Sequence, residues 1–394
     1  MNNFCTMPFN SLEVSPDGTV KVCCKIDKDL EKTSKIKFNV LNDKIEEIWN
    51  SDDLNNLRQQ FINNEKPIDC NKCWIEESSG LKSLRLQTIN QVYDLRKPKI
   101  SYLSLKLSNK CNLACRICNP TLSSVWQNHF DKLNLELTPE HTFKTIKLEK
   151  FSGDNLQSLH EASSNLQHLL LYGGEPLINE EVLNYLTYLV DNKISSQIIL
   201  TLNTNGTVYS DELIDQFKKF KRVNLFLSID DVDKRFEYQR WPAKWSKIES
   251  NLKKYSALND NIHVKFYPSI SILNITDLGE TLDKLSSYGI PITFNNIIHE
   301  PKILSIRNLP IKLKIKIISY LESLNFDSFL LDKGYENPKE ALINFINLDN
   351  EFELDLSEEN YLNKIVNYLD IHDNFRGTKL SEYIPNLWNN INEK

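Results

Sequence analysis

The chain has 394 residues, 40% hydrophobic and 25% charged, enough for a large core with a smaller second unit. Its net charge of −6, from 47 basic and 53 acidic residues, contains no long block of one sign, which speaks against nucleic acid or a membrane surface as partner. The opening MNNFCTMPFNSLEV has no basic stretch followed by an apolar run, and no run long enough to span a bilayer occurs. The expectation is therefore a cytoplasmic protein whose eight cysteines serve as metal ligands or redox groups rather than disulfides.

In chain order, SLEVSPDGTVKVCC reads as a hairpin turning at Pro16-Asp17-Gly18, and KIEEIWNSDDLNNLRQQFINN has helical periodicity. Together they predict a small cysteine-rich module over 1–98. From residue 99 to 310, strands are expected at 100–107, 166–172, 197–203, 223–229, 263–273 and 292–298. Helices are expected at 121–133, 178–192, 210–220, 243–258 and 276–288. Six βα units around a mostly parallel sheet fit a partial TIM-like barrel or an open doubly wound sheet. Beyond Pro310 the pattern is helical again, giving a C-terminal helical region over 311–394.

CNLACRIC, residues 111–118, places Cys111, Cys115 and Cys118 in one loop directly after the first core strand. Three thiolates are one fewer than a closed zinc site or an ordinary [4Fe–4S] cluster uses, so a cluster held this way keeps one iron open. The alternative is a structural zinc site completed by a distant His or Cys. The chain has only 10 glycines, yet its sole Gly-Gly pair, Gly173-Gly174, follows a predicted strand and precedes Glu175 and Pro176. Glycines placed there suggest either close backbone approach to a ligand or a sharp strand-to-helix turn.

CNLACRIC, then YGGEP at 172–176, TNG at 204–206 and SID at 228–230 resemble the radical S-adenosylmethionine (SAM) superfamily over about residues 100–300. The resemblance implies a partial (βα)6 barrel with its motifs at the C-terminal ends of the strands. Cys111, Cys115 and Cys118 would hold a [4Fe–4S] cluster whose open iron SAM chelates. Gly173, Gly174, Glu175 and Pro176 would contact the SAM amine, with Glu175 accepting a hydrogen bond. Asn203 and Asn205 stand where ribose contacts are made. Ser228 and Arg240 are spaced as in members that bind the SAM carboxylate. Ile117 departs from the aromatic residue many members carry there.

Cys5, the pair Cys23-Cys24, Cys70 and Cys73 resemble the SPASM/twitch auxiliary-cluster module, which in this family usually follows the barrel rather than preceding it. They would hold a second [4Fe–4S] cluster. In the family's pattern the hairpin glycine stands five residues before its cysteine, as Gly18 does before Cys23, so the resemblance implies Cys23 rather than Cys24; zinc on the same thiols is the alternative. His141, His160 and His168 read as packing residues. His299 and Glu300 end the sixth predicted strand on the expected active face. Tyr238 and Trp241 flank Arg240 and read as aromatic core.

The resemblance implies reductive cleavage of SAM to a 5′-deoxyadenosyl radical that abstracts hydrogen from substrate, with a flavodoxin- or ferredoxin-type protein as one-electron donor. Oxidative modification of a peptide is the expected reaction, although no separate leader-binding domain is recognisable. Oxidation of a small molecule such as a sugar or cyclitol is the alternative, and a zinc- or cluster-bearing binding protein on a degenerate barrel is the alternative outside enzymes.

Overall fold

A computed structural model describes residues 3–32, 36–89, 97–133, 153–294, 296–333, 337–349 and 358–392. Expected His141 lies outside them. Seven strands form one sheet: β1 (Ser11–Val14), β2 (Val20–Lys21), β3 (Tyr102–Leu105), β4 (His168–Leu171), β5 (Ile199–Thr204), β6 (Arg222–Leu227) and β7 (Ile262–Phe266), in the order β2-β1-β3-β4-β5-β6-β7. From β3 to β7 all neighbours are parallel and helices intervene between them, as the alternating pattern predicts. Leu103, Leu105, Leu169, Leu171, Leu200, Leu202, Leu225 and Leu227 alternate along these strands and are buried against the helices. The intervening residues line the concave side of a partial barrel.

The expected strand 263–273 is split because Pro268 removes a backbone donor. β8 (Ser269–Ile270) pairs instead with β9 (Asn296–Ile297), the short sixth barrel strand, while Ile292 bridges to Phe266. Residue 295, inside the expected strand 292–298, lies outside the described residues.

The hairpin does not stand apart from the barrel. β1 pairs in parallel with β3, Ser11 opposite Tyr102 and Val14 opposite Leu105, and antiparallel with β2. Its turn is closed by Gly18 N–H to Ser15 O and by Asp17 accepting from Thr19, with Gly18 at φ +80°. The expected long helix after it is two helices, Ile45–Trp49 and Asp52–Ile62. The break falls where the Ser51 hydroxyl caps the second by accepting from Leu54 N–H.

At the C-terminal end, helix Glu358–Arg376 and the short helices after it pack back on the barrel. Among the described residues no helix is long and apolar enough to cross a membrane.

Candidate active site

Cys111, Cys115 and Cys118 lie in the loop after β3, at the C-terminal end of the parallel strands. Leu113 N–H points at Cys111 Sγ (3.4 Å), and Cys111 N–H is held by Ser124 Oγ (3.2 Å). The loop runs beside residues 239–241, with Ala114 N–H donating to Trp241 O and Arg116 N–H to Gln239 O. Burial raises all three thiol pKa values, that of Cys111 to about 12, so loading metal on them must displace protons. A soft, all-sulfur donor set on one loop, with N–H groups aimed at sulfur, fits an iron–sulfur cluster.

The two glycines of GGEP have different reasons. A Cβ on Gly174 would meet Lys110 O at 2.4 Å, so this glycine lets the turn lie against the backbone of the cysteine loop. Gly174 N–H donates to Leu122 O and Glu175 N–H to Lys110 O, fastening the two loops. A Cβ on Gly173 would meet the Lys106 side chain, its Cγ at 2.9 Å. Both glycines have positive φ.

Glu175 is fully buried, and its carboxylate accepts from Thr204 Oγ1 (2.8 Å), Asn205 N–H (2.7 Å) and Leu177 N–H (3.1 Å). It is thus a strut between the ends of β4 and β5, with Pro176 opening the turn that follows. Burial raises its pKa, and the three donors oppose that rise. The Asn205 side chain is also occupied, donating to Asn112 Oδ1 of the cysteine loop and accepting from Thr207. Asn203, two residues earlier, points to the concave side, and its Oδ1 has no partner.

Ser228 follows β6, and its N–H donates to Thr204 O. Arg240 is buried and grips Asp230 with two bonds, Nε to Oδ2 (2.8 Å) and Nη2 to Oδ1 (2.9 Å), while Nη1 points at Cys115 Sγ (3.8 Å). Its guanidinium fork is therefore filled by a protein carboxylate and reaches the site through Cys115. Asp230 also accepts from Ser269 N–H. Tyr238 and Trp241 are packing residues, Tyr238 under the Arg116 guanidinium (3.6 Å) and Trp241 against His129 (4.7 Å).

Sequence reasoning missed a wall behind the cysteine loop. Arg116, inside CNLACRIC, is completely buried and bonds Tyr238 O, Thr378 Oγ1, Leu369 O and the carboxylate of Asp373. Tyr368 donates to Arg116 O, and Arg376 donates to Ala114 O while lying between the Trp126 and Trp241 rings. The C-terminal helix thus holds the loop from behind. Nothing in its pattern marks it as part of the site.

The second cysteine set lies around a cavity lined by Cys5, Cys23, Cys70 and Cys73, with Met7 and Phe61 as apolar wall and Lys25 and Arg85 as cations. Cys24 is absent from that lining. Its charged neighbours are Glu13, Lys25 and Lys106, on the concave side of the barrel, and burial pushes its thiol up to about 12. β2 runs antiparallel to β1 and Ser11 Oγ donates to Val22 O, so Cys23 and Cys24 lie towards the N-terminal ends of the parallel strands. Cys23 and Cys24 thus lie beside the start of β1, whereas Cys111, Cys115 and Cys118 follow the end of β3. Among the described residues no three His, Cys, Asp or Glu side chains are drawn together as for a single metal ion.

His160 stacks on Tyr188 and His168 on Tyr102. His299 packs against Phe345, and burial together with Lys25, Lys72 and Arg307 holds its pKa down at about 4.

A family model for the radical SAM superfamily matches residues 105–285, and one for SPASM, an iron–sulfur cluster-binding domain, matches residues 5–74. GTP 3′,8-cyclase of Syntrophomonas wolfei is 26% identical over 171 residues, 43% of this chain and 46% of that protein. The radical SAM cyclopropyl synthase TigE of Paramaledivibacter caminithermalis is 27% identical over 169 residues, 41% of this chain and 34% of that protein. The chain thus spans less than half the length of either relative. The solved structure of Streptococcus suis SuiB is 18% identical, covering 86% of this chain and 76% of that one with a TM-score of 0.39. With an iron–sulfur cluster-binding domain ahead of its barrel, this chain belongs to the radical SAM superfamily, the enzymes that use a [4Fe–4S] cluster with SAM.

Proposed function

We propose that the chain abstracts hydrogen from a peptide and carries out an oxidative modification, with the N-terminal cluster assisting. Cys111, Cys115 and Cys118 hold the SAM-binding cluster; Cys5, Cys23, Cys70 and Cys73 hold the auxiliary one, and Cys24 faces the barrel interior. When bound, the first cluster and SAM supply the 5′-deoxyadenosyl radical, chemistry that belongs to the cofactors. The protein contributes position and shielding. Glu175 and Asn205 knit the GGEP and TNG loops to the cysteine loop, Arg240 orients toward Cys115, and Asn203, with its Oδ1 unpartnered, remains to meet SAM.

The observation that supports this reading is a second, separate thiol set, Cys5, Cys23, Cys70 and Cys73 around one cavity, in a module whose first strand joins the barrel sheet beside β3. An electron acceptor in addition to the radical source suits oxidation. The GTP 3′,8-cyclase relatives, which by name act on a nucleotide, favour a small-molecule substrate as the second reading.

The test is anaerobic reconstitution. About eight irons and eight sulfides per chain are expected from two [4Fe–4S] clusters, and Cys70→Ala with Cys73→Ala should leave 5′-deoxyadenosine formation while abolishing turnover. Zinc in the N-terminal set would overturn the assignment. A peptide encoded beside this gene should lose two hydrogens on co-expression; no change in it, with turnover of a sugar or nucleotide, would favour the second reading.

A further inference from the structure

We propose that Arg376, on the C-terminal helix, is the counter-charge of the thiolate at Cys115 and raises the reduction potential of the cluster held there. This rests on the reading that Cys111, Cys115 and Cys118 hold the SAM-binding cluster, and it gives that cluster an electrostatic partner from outside the barrel.

Three buried arginines bond to the cysteine loop or to the carboxylates beside it, and two of them are neutralised by protein. Arg116 pairs with Asp373, and Arg240 grips Asp230 with two bonds. Arg376 is 9% exposed, and no carboxylate among the described residues pairs with it. Its Nη2 donates to Ala114 O (2.8 Å), while Nε and Nη1 are buried with no partner. The guanidinium lies between the Trp126 and Trp241 rings, 5.5 Å from each, and Trp126 donates from Nε1 to Cys115 O (2.6 Å). Arg376 and its neighbour Trp126 thus hold the two carbonyls on either side of Cys115. Glu175, the other buried carboxylate of the site, bears on Cys111 and is occupied by its three donors. Burial and Arg116 disfavour charge on Arg376, and the strongest attraction it meets is to the sulfur of Cys115.

A buried guanidinium without an anion bears its desolvation cost in full, and in the metal-free chain Arg376 bears it. Three thiolates outweigh the charge of an oxidised cluster core, so loading the cysteines puts an anion beside this cation, and the electron taken up on reduction makes that anion more negative. A fixed positive charge favours the more negative state; net charge and hydrogen bonds to sulfur are among the features that set such potentials. The two arginines near Cys115 therefore differ in role. Arg240, with Nη1 3.8 Å from Cys115 Sγ, offers a hydrogen bond while Asp230 cancels its charge, and Arg376 offers the charge that nothing in the protein cancels.

The test uses the anaerobically reconstituted full chain and reads a potential rather than turnover. The barrel cluster is followed by the part of the electron paramagnetic resonance signal that changes on adding SAM, titrated against solution potential. Arg376→Gln keeps an amide donor for Ala114 O but removes the charge; it should shift the reduction equilibrium about tenfold towards the oxidised state, about 59 mV for one electron. Arg376→Lys, which keeps the charge, should recover most of that shift. Lys379→Gln, which removes a cation 74% exposed at its side chain, should leave the potential nearly unchanged. Without metal, Arg376→Gln should be at least as stable to denaturant as the wild type, because the buried charge then has no partner; with metal the order should reverse. A residue that only packs would lower stability in both states and leave the potential alone. That result would overturn the proposal, as would an equal shift from Lys379→Gln. Should the Gln variant fail to fold, Arg376→Met, which fills the space between the two rings, takes its place; failure of both without metal also overturns it. A wild type lacking a SAM-sensitive cluster would be a different result, one that removes the site reading and this proposal with it.

Discussion

Cys111, Cys115 and Cys118 come from one short loop, tied to its neighbours by backbone bonds and backed by a buried Arg116 and the C-terminal helix. Cys5, Cys23, Cys70 and Cys73 are gathered from three separate stretches of backbone around a cavity with apolar and cationic walls. The first site is organised by protein contacts before any metal arrives. On the proposed reading the four thiols of the second are joined only through their cluster, so its binding energy is expected to appear as folding energy. A radical source needs a fixed geometry around one open iron, whereas a closed, four-thiolate centre can be assembled by its cluster.

The sharpest way to break this contrast is to remove each set in turn. Ala at Cys111, Cys115 and Cys118 should abolish 5′-deoxyadenosine formation and about half the iron while leaving the melting temperature nearly unchanged. Ala at Cys70 and Cys73 should lower the melting temperature markedly. Equal losses of thermal stability, followed by circular dichroism, would show that the two sites are organised alike.

Asp373→Asn leaves the Arg116 guanidinium buried without its counter-charge; a loss of about 3–5 kcal/mol is expected by denaturant unfolding. Iron loss in that variant should fall on the barrel cluster, seen by electron paramagnetic resonance. Gly174→Ala combines a backbone clash with positive φ, for about 2–4 kcal/mol. Gly173→Ala should cost less, because its Cβ would meet a side chain, Lys106 Cγ at 2.9 Å, rather than a backbone oxygen at 2.4 Å.

The smallest effect is a pH dependence. His299 has a folded pKa of about 4, below the unfolded value of about 6.5. The unfolded chain therefore binds more protons between these values, and stability, complete above the upper one, declines as pH falls towards the lower one. About 1–2 kcal/mol should be lost between pH 7 and 5, and His299→Gln should flatten that component of the unfolding profile.

The barrel triad was legible because its chemistry is local: three thiols in one loop after a strand. The expectation of Cys23 over Cys24 comes from the family's spacing between hairpin glycine and cysteine; Cys23 lines the cavity with Cys5, Cys70 and Cys73, and which of the pair is a ligand is a matter for the cysteine variants. Other parts depend on contacts that no spacing reveals. Arg116 meets Asp373 across most of the chain, and the residue pattern of the C-terminal helix is that of any packing helix. Arg240 was read against Ser228, twelve positions away, although Asp230 supplies its partner. Asn203 and Asn205 could not be separated by sequence because the bonds of Asn205 to Asn112 and Thr207 arise only when the loops meet. Glu13 reads as one more alternating residue in a hairpin, whereas the parallel pairing of β1 with β3 turns it towards Lys106 of the barrel.

That pairing also bears on solubility. Without β1 and β2, β3 would become the margin of the sheet, presenting a row of unpaired backbone groups beside the fully buried Leu103 and Leu105, the sort of margin that templates association with other chains. With the hairpin in place the outermost strand is β2, two residues long and carrying Lys21, too short and too charged to recruit another strand. A variant starting at residue 99 should therefore aggregate even with its barrel cysteines intact, because the N-terminal module serves as the selvedge of the barrel as well as a cluster holder.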